Sequence, residues 1–189
     1  MAAQIKETTD ILLAESFKEL VCQQPIEKIT IKEITDKAGV IRPTFYNHFQ
    51  DKYELLEWII KKQILEPARP LILAGMVDEA LVLVFTTLEK EKEFYAKAVK
   101  LEGQNSFESI AKKCIRETLL EALQREPGKK KNSKYPWLTL EHISEFYAQD
   151  MCFVIVRWIE SGMPITPREI TDIYNYIMSH PMHEVLKEL

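Results

Sequence analysis

The sequence predicts an all-α protein, and three observations carry that expectation. Glycine is scarce, five in 189 residues, and Gly39, Gly75, Gly103, Gly128 and Gly162 all stand where a helix would have to stop. Between them apolar residues recur every three or four positions, as the buried face of a helix requires. Thr30-Ile31-Lys32-Glu33 and Thr166-Pro167-Arg168-Glu169 each have the capping-box pattern, a hydroxyl at the N-cap answered by a carboxylate three residues later. About nine helices are expected, divided between a three-helix unit over residues 1–50 and a helical bundle over 51–189.

The elements follow in order. Leu13, Phe17, Leu20 and Val21 make one face of a first helix that ends near Gln24-Pro25. The second helix begins at Thr30, with Ile29 and Ile34 in hydrophobic-staple positions, and ends at Gly39. A third, short helix starts at Arg42 or Pro43, since proline suits the first helical turn. Asp51 to Glu54 opens a longer fourth helix, which Pro67 and Pro70 should end. Further helices are expected over 76–101, with a break inside, and over 105–125. "LVLVF" at 81–85 lies between helical flanks and reads as buried helix rather than strand. "EPGKKKNSKYPW" is polar, charged and bounded by prolines, so it reads as a loop. A helix over 139–161 has Thr139 as N-cap and Leu138/Ile143 as staple, and the last long helix has Pro167 at its first position and an Ile165/Ile170 staple.

Composition narrows the function classes. A hydrophobic content of 46% is enough for a sizeable core. No apolar run approaches the roughly 20 residues that span a bilayer. The opening "MAAQIKETTD" lacks the apolar core of a secretory signal, so a cytoplasmic location is expected. Cys22, Cys114 and Cys152 are widely spaced and odd in number, which suits buried thiols better than a disulfide framework or a zinc site. His142 near Asp150, and His180 with His183, lack the further ligands or nucleophile of a catalytic or metal site. Neither a P-loop nor a GxGxxG or GxSxG motif is present, so no enzyme, cofactor or metal is expected.

Two short helices joined through Gly39, with a helix before and after, is the layout of a helix-turn-helix. Ala38 is small enough for close helix approach, and Ile34, Val40, Phe45 and Phe49 are spaced to fill a miniature core. Phe45 and Phe49, at i and i+4, share one face, which leaves Arg42, Thr44, Asn47 and His48 toward the outside and the ends. "ITIKEITDKAGVIRPTFYNHFQDKYELLEWI" resembles the N-terminal domain of the TetR family of transcriptional regulators, whose pattern is a helix ending in "AGV" followed by "TFYxHFxxKxxLL".

The resemblance implies a homodimer that docks its second and third helices on a double-stranded DNA operator, the third in the major groove. Carried over, Arg42 and Thr44 occupy base-reading positions, and Arg suits a bidentate contact to guanine. Lys32 reaches a base edge or phosphate, Asn47 an adenine or the backbone, and Pro43 a thymine methyl. Thr30, Tyr46, His48 and Lys52 stand as phosphate contacts. Two features depart from the family pattern. Ile41 occupies a cap position where Ser or Thr is usual, and residues 1–60 hold seven Lys/Arg against ten Asp/Glu, a net of −3. Both favour an alternative, a helical co-regulator that keeps the fold and acts through a protein partner.

For the second domain the resemblance implies dimerisation through the last two long helices, 139–161 and 167–179, with Met151, Val154, Ile155, Trp158, Ile173 and Ile177 as candidates. It also implies an effector pocket, small-molecule or protein-controlled. Its candidate lining is Phe85, Phe94, Tyr95, Phe107, Phe146 and Tyr147, with Arg116, His142 and Gln149 as polar groups, although each also suits ordinary core packing. "FYAKAVKLEGQNSF" and "EFYAQDMCFVIVRWIESG" resemble the branch that includes activators of dihydroxyacetone kinase operons, some of which work with a protein co-regulator.

Overall fold

The computed structural model describes residues 2–125 and 134–187, and these are helical with no strand among them. Helix α1 (Ala2–Gln23) leads through a 3-10 turn at Ile26–Lys28 into α2 (Ile31–Ala38) and α3 (Arg42–Tyr46). Leu13, Phe17, Ile34, Phe45 and Phe49 are buried together, so the small core expected from the apolar spacing is formed. At α2 the Thr30 hydroxyl accepts from the Glu33 N–H, and the Glu33 carboxylate accepts from the Thr30 N–H at 2.7 Å, which closes the capping box. Gly39 ends α2 with φ +68°, a left-handed conformation in which a Cβ is strained.

Asp51 caps α4 (Lys52–Ile59) by accepting from the N–H groups of Tyr53 and Glu54. The helix does not stop at its prolines. It passes through a π-helical stretch, Ile60–Leu65, into α5 (Glu66–Leu73), with Pro67 in the first turn and Pro70 inside. The Glu66 N–H bonds back to the Lys61 carbonyl, an i→i+5 bond of the wider helix. Pro67 then falls in the first turn of the restored α-helix, where a missing N–H costs little, and the chain is not broken.

The bundle continues with α6 (Val77–Lys90) and α7 (Lys92–Ala98), broken at Glu91, and α8 (Phe107–Arg125). "LVLVF" lies within α6, largely buried, as expected. Residues 126–133, including Gly128 and most of the predicted loop, lie outside the described residues. Thr139 caps α9 (Leu140–Glu160), but its staple partner Leu138 is exposed. Thr166 and Glu169 form the second capping box at α10 (Pro167–Ser179), and a single turn, α11 (Met182–Val185), follows. Helix α8 packs most extensively on α9, while α6 takes α5 on one flank and α10 on the other. Helix α1 touches α4 and α7, so the N-terminal unit is seated directly on the bundle.

Candidate nucleic-acid interface

Helix α3 stands on Phe45 and presents its other sides to solvent. Arg42, Pro43, Tyr46 and Asn47 are exposed, and Thr44 is half-buried. The Arg42 guanidinium donates to the Tyr46 hydroxyl at 3.0 Å and lies 5.5 Å from the centre of its ring. This contact orders a long flexible side chain on the exposed face, so less entropy remains to be lost on binding. Ile41, at the N-cap of α3, makes no side-chain cap and is 70% exposed. The first N–H groups of α3 therefore have no side-chain partner at the cap. Lys32 is also outward-facing, although its ammonium is 2.7 Å from Asp36. Thr30 is exposed, with its hydroxyl engaged by Glu33.

Two expected phosphate contacts have other partners. The Lys52 ammonium donates to the carbonyls of Ile26, Glu27 and Ile29 at 2.7–2.8 Å. All three of its N–H bonds clamp the 3-10 turn between α1 and α2, leaving none for a phosphate. Burial there depresses its pKa below the usual lysine range, against the opposing pull of Glu27, Asp51 and Glu33. His48 falls three residues after Phe45 and therefore on the inward side. Its Nδ1 lies 2.6 Å from Asp10 Oδ1, with both side chains almost buried. The pair ties the end of α3 to α1. Thirty-eight residues separate them, so no local pattern signals the contact.

A second polar junction joins the N-terminal unit to the bundle. Lys18 on α1 is buried, and its ammonium contacts Glu15 at 2.8 Å, Glu91 at 2.6 Å and Gln63 at 3.0 Å. Gln63 belongs to the π-helical stretch and Glu91 to the α6–α7 break, so the two irregular points of the bundle meet at one lysine. Lys61, in the same stretch, contacts Glu57 and Glu117 at 2.6 and 2.8 Å. Burial lowers its pKa, but these two carboxylates outweigh burial and raise it.

The expected effector residues are not gathered around a cavity. Phe85, Phe94, Tyr95 and Phe107 are core: Phe85 meets Trp158 edge-on, and Tyr95 meets Phe94 and Phe107. Phe146 and Tyr147 are exposed on α9. Arg116 pairs with Glu145, His142 stacks on Trp137, and Gln149 accepts from Lys112. Cavities occur elsewhere: a polar one between α4 and the start of α8, lined by Glu54, Glu57 and Lys113 among others, and apolar ones between α5, α6 and α8.

The candidate dimer residues divide. Ile155 and Trp158 are buried within their own chain, and the Trp158 indole donates to the Ile165 carbonyl. Met151 and Val154 are half-buried. Ile173 and Ile177 are exposed one turn apart on α10, while Phe146 (63% exposed) and Phe153 (59%) lie two turns apart on α9. A count of apolar positions could not separate the inward stripe from the outward one, since α9 is apolar on several sides.

Burial pushes the Cys114 and Cys152 thiols up to about 12, which makes both poor nucleophiles. Cys22 is half-buried, and its thiol is likewise raised by burial first. Among the described residues no group of three or more His, Cys, Asp or Glu side chains is placed to hold a metal. No described helix is long and apolar enough to cross a membrane.

A short exposed helix, set by a left-handed glycine against a capped support helix, defines a helix-turn-helix regulator. Comparison with known proteins agrees along most of the chain. Residues 18–59 match the family described as bacterial regulatory proteins of the tetR family, and residues 77–180 match its transcriptional regulator C-terminal region. The chain belongs to the TetR family of transcriptional regulators. It is 29% identical over 157 residues to the HTH-type dhaKLM operon transcriptional activator DhaS of Lactococcus lactis, covering 82% of this chain and 81% of that protein. A solved structure of the dihydroxyacetone kinase operon activator DhaS superposes with a TM-score of 0.54 at 25% identity, covering 90% of this chain and 92% of that one. NalD, the secondary repressor of the MexAB-OprM multidrug efflux pump in Pseudomonas aeruginosa, shares the fold. Its TM-score is 0.57 at 16% identity, covering 93% and 95%. The resemblance to dihydroxyacetone kinase operon activators drawn from α7 and α9 is thus matched by a relative that spans most of the chain.

Proposed function

We propose that the protein binds a pseudo-palindromic DNA operator as a homodimer, under the control of an effector. Residues 1–50 supply the DNA-binding unit, and 51–189 the effector-binding and dimerising bundle. The exposed, pre-ordered Arg42–Tyr46 pair on α3 carries this reading. Arg42, Pro43 and Thr44 meet base edges in the major groove, Tyr46 and Lys32 meet phosphate, and Asn47 meets base or backbone. Dimerisation through the outward sides of α9 and α10, chiefly Phe146, Phe153, Ile173 and Ile177, sets two copies of α3 one DNA turn apart. An effector that favours one spacing of these helices shifts operator affinity by its differential affinity for the two states. The regulator acts in the cytoplasm, where the DNA is.

A gel shift with the DNA flanking its own gene tests the reading. A specific complex at low salt, competed poorly by unrelated DNA, is the expected outcome. If no segment is bound specifically, the DNA-binding role fails. The bare Ile41 and the −3 charge of residues 1–60 support a second reading, action through a protein partner. That reading predicts DNA binding which appears only when the partner is added.

A further inference from the structure

We infer that Ile41 helps to select the operator sequence by packing on the methyl group of a thymine, next to the base pair that Arg42 meets. The inference rests on reading α3 as the DNA-contacting helix, and adds a specificity residue and the base it selects. The backbone fixes where this side chain stands. Left-handed Gly39 ends α2, and the two residues that follow are pinned. The Val40 N–H donates to the Thr35 carbonyl at 3.0 Å, and the Ile41 carbonyl accepts from the Thr44 N–H at 2.9 Å. Ile41 is extended, with φ −85° and ψ 152°. Neighbouring side chains of an extended segment leave on opposite sides. Val40 takes the inward one, packed against the core, and Ile41 takes the outward one, 70% exposed.

An isolated exposed isoleucine is ordinary on a protein surface. Here it stands at a cap, where Ser, Thr, Asp or Asn would bond the first N–H groups of α3, so an apolar group at this point comes with a loss of stabilisation. The group is also bare and stiff. The Arg42 guanidinium is drawn one turn along α3 to Tyr46 and leaves Ile41 uncovered. Branching at Cβ restricts χ1, so little side-chain freedom is lost on contact. The first residues of a helix-turn-helix recognition helix meet base edges. The isoleucine side chain has neither donor nor acceptor, and the apolar group that base edges offer in the major groove is the thymine methyl. Against the amino group of cytosine or the acceptors of guanine, Ile41 would desolvate polar atoms without pairing them, so it discriminates as well as binds.

The test is selection of duplexes from a random pool by the full chain, followed by exchange of single thymines for uracil, which removes only the methyl. The selected half-site should hold a thymine beside the position that Arg42→Ala relaxes. Uracil there should weaken binding about fourfold in one half-site and about fifteenfold in both, as expected for one buried carbon at each. Ile41→Ser should bind the thymine and uracil operators equally. Ile41→Val, which keeps a branched apolar side chain, should retain most of the difference. A change in the cap or in stability alters both operators alike, so this difference reports the methyl contact. If no sequence is selected, the DNA-binding reading fails, and this inference with it. If a sequence is selected but uracil costs nothing at that position, or costs Ile41→Ser as much as the unaltered protein, the DNA-binding reading stands and Ile41 does not read the methyl.

Discussion

The exposed side of α3 and the outward side of α9 differ in how they are prepared for a partner. On α3 nearly every exposed side chain is polar, and the longest, Arg42, is already held by Tyr46. On α9 the most exposed apolar groups are aromatic carbon, Phe146 and Phe153, set among exposed polar side chains such as Glu145, Gln149 and Arg157. The first surface suits a hydrated, charged partner, where geometry and pairing decide affinity. The second suits a dry contact, where removal of apolar area from water decides it. The difference teaches that the same fold element, a helix with one buried face, acquires its partner class from what its outward face carries.

The largest effect should come from α9. Ile155→Asp places an unpaired charge in the protomer core and should unfold the chain, whereas Phe153→Asp should leave helicity unchanged and yield monomers by light scattering. A dimer loss of at least about 2 kcal/mol is expected for the second, as for an interface anchor. An unchanged dimer would move the interface off α9. Next comes Arg42→Ala, which should cost about 1–3 kcal/mol and relax preference at one base position. Equal weakening on all sequences would instead make Arg42 a phosphate contact. Lys52→Met separates the clamp from a phosphate role: stability should fall by about 1–3 kcal/mol, with the salt slope of DNA binding unchanged. Ile41→Ser is the smallest. A restored cap should stabilise α3 by about 1 kcal/mol, seen as a higher melting temperature, and should weaken any contact that the bare isoleucine makes.

A pH titration sharpens the contrast in a different way. The Glu33 and Glu169 carboxylates are held below the usual range by hydrogen bonds from Thr30 and Thr166. Glu57 is also lowered. Burial alone would raise it, but Lys61 and Lys113 prevail. Folded-state values below the unfolded ones mean that these groups stabilise the fold above the unfolded carboxylate pKa, about 4.3, and lose that contribution as pH falls through the folded values. Glu33→Ala should therefore flatten the acid limb of a melting-temperature profile below about pH 4, with little change in shape above it.

Features written within one turn of helix were legible in the sequence. Thr30 with Glu33, Thr166 with Glu169, Gly39 and the Phe45/Phe49 face all rest on neighbours three or four residues away, and all occur as expected. Features that rest on distant partners were not. Lys52 reads as a free cation until three carbonyls more than twenty residues earlier are folded around it. His48 reads as outward-facing until Asp10 reaches it. Aromatic residues such as Phe94, Tyr95 and Phe107 satisfy the composition of a pocket and of a core equally, and only packing separates the two. The apolar cavity between α5, α6 and α8 is walled instead by ordinary aliphatic side chains, which carry no signal of their own.

Pro67 misled for a further reason: a proline ends a helix only if its turn cannot be re-threaded. The π-helical stretch Ile60–Leu65 does that re-threading. A turn closed by i→i+5 bonds holds one residue more than an α-turn. Deleting one solvent-facing residue there, such as Lys62, should let the stretch relax to α geometry. The buried sides of α4 and α5 would then keep their original phase. In evolutionary terms, the loop-like tolerance to a change of chain length that most proteins confine to their surface connections is lodged here in the middle of a rod.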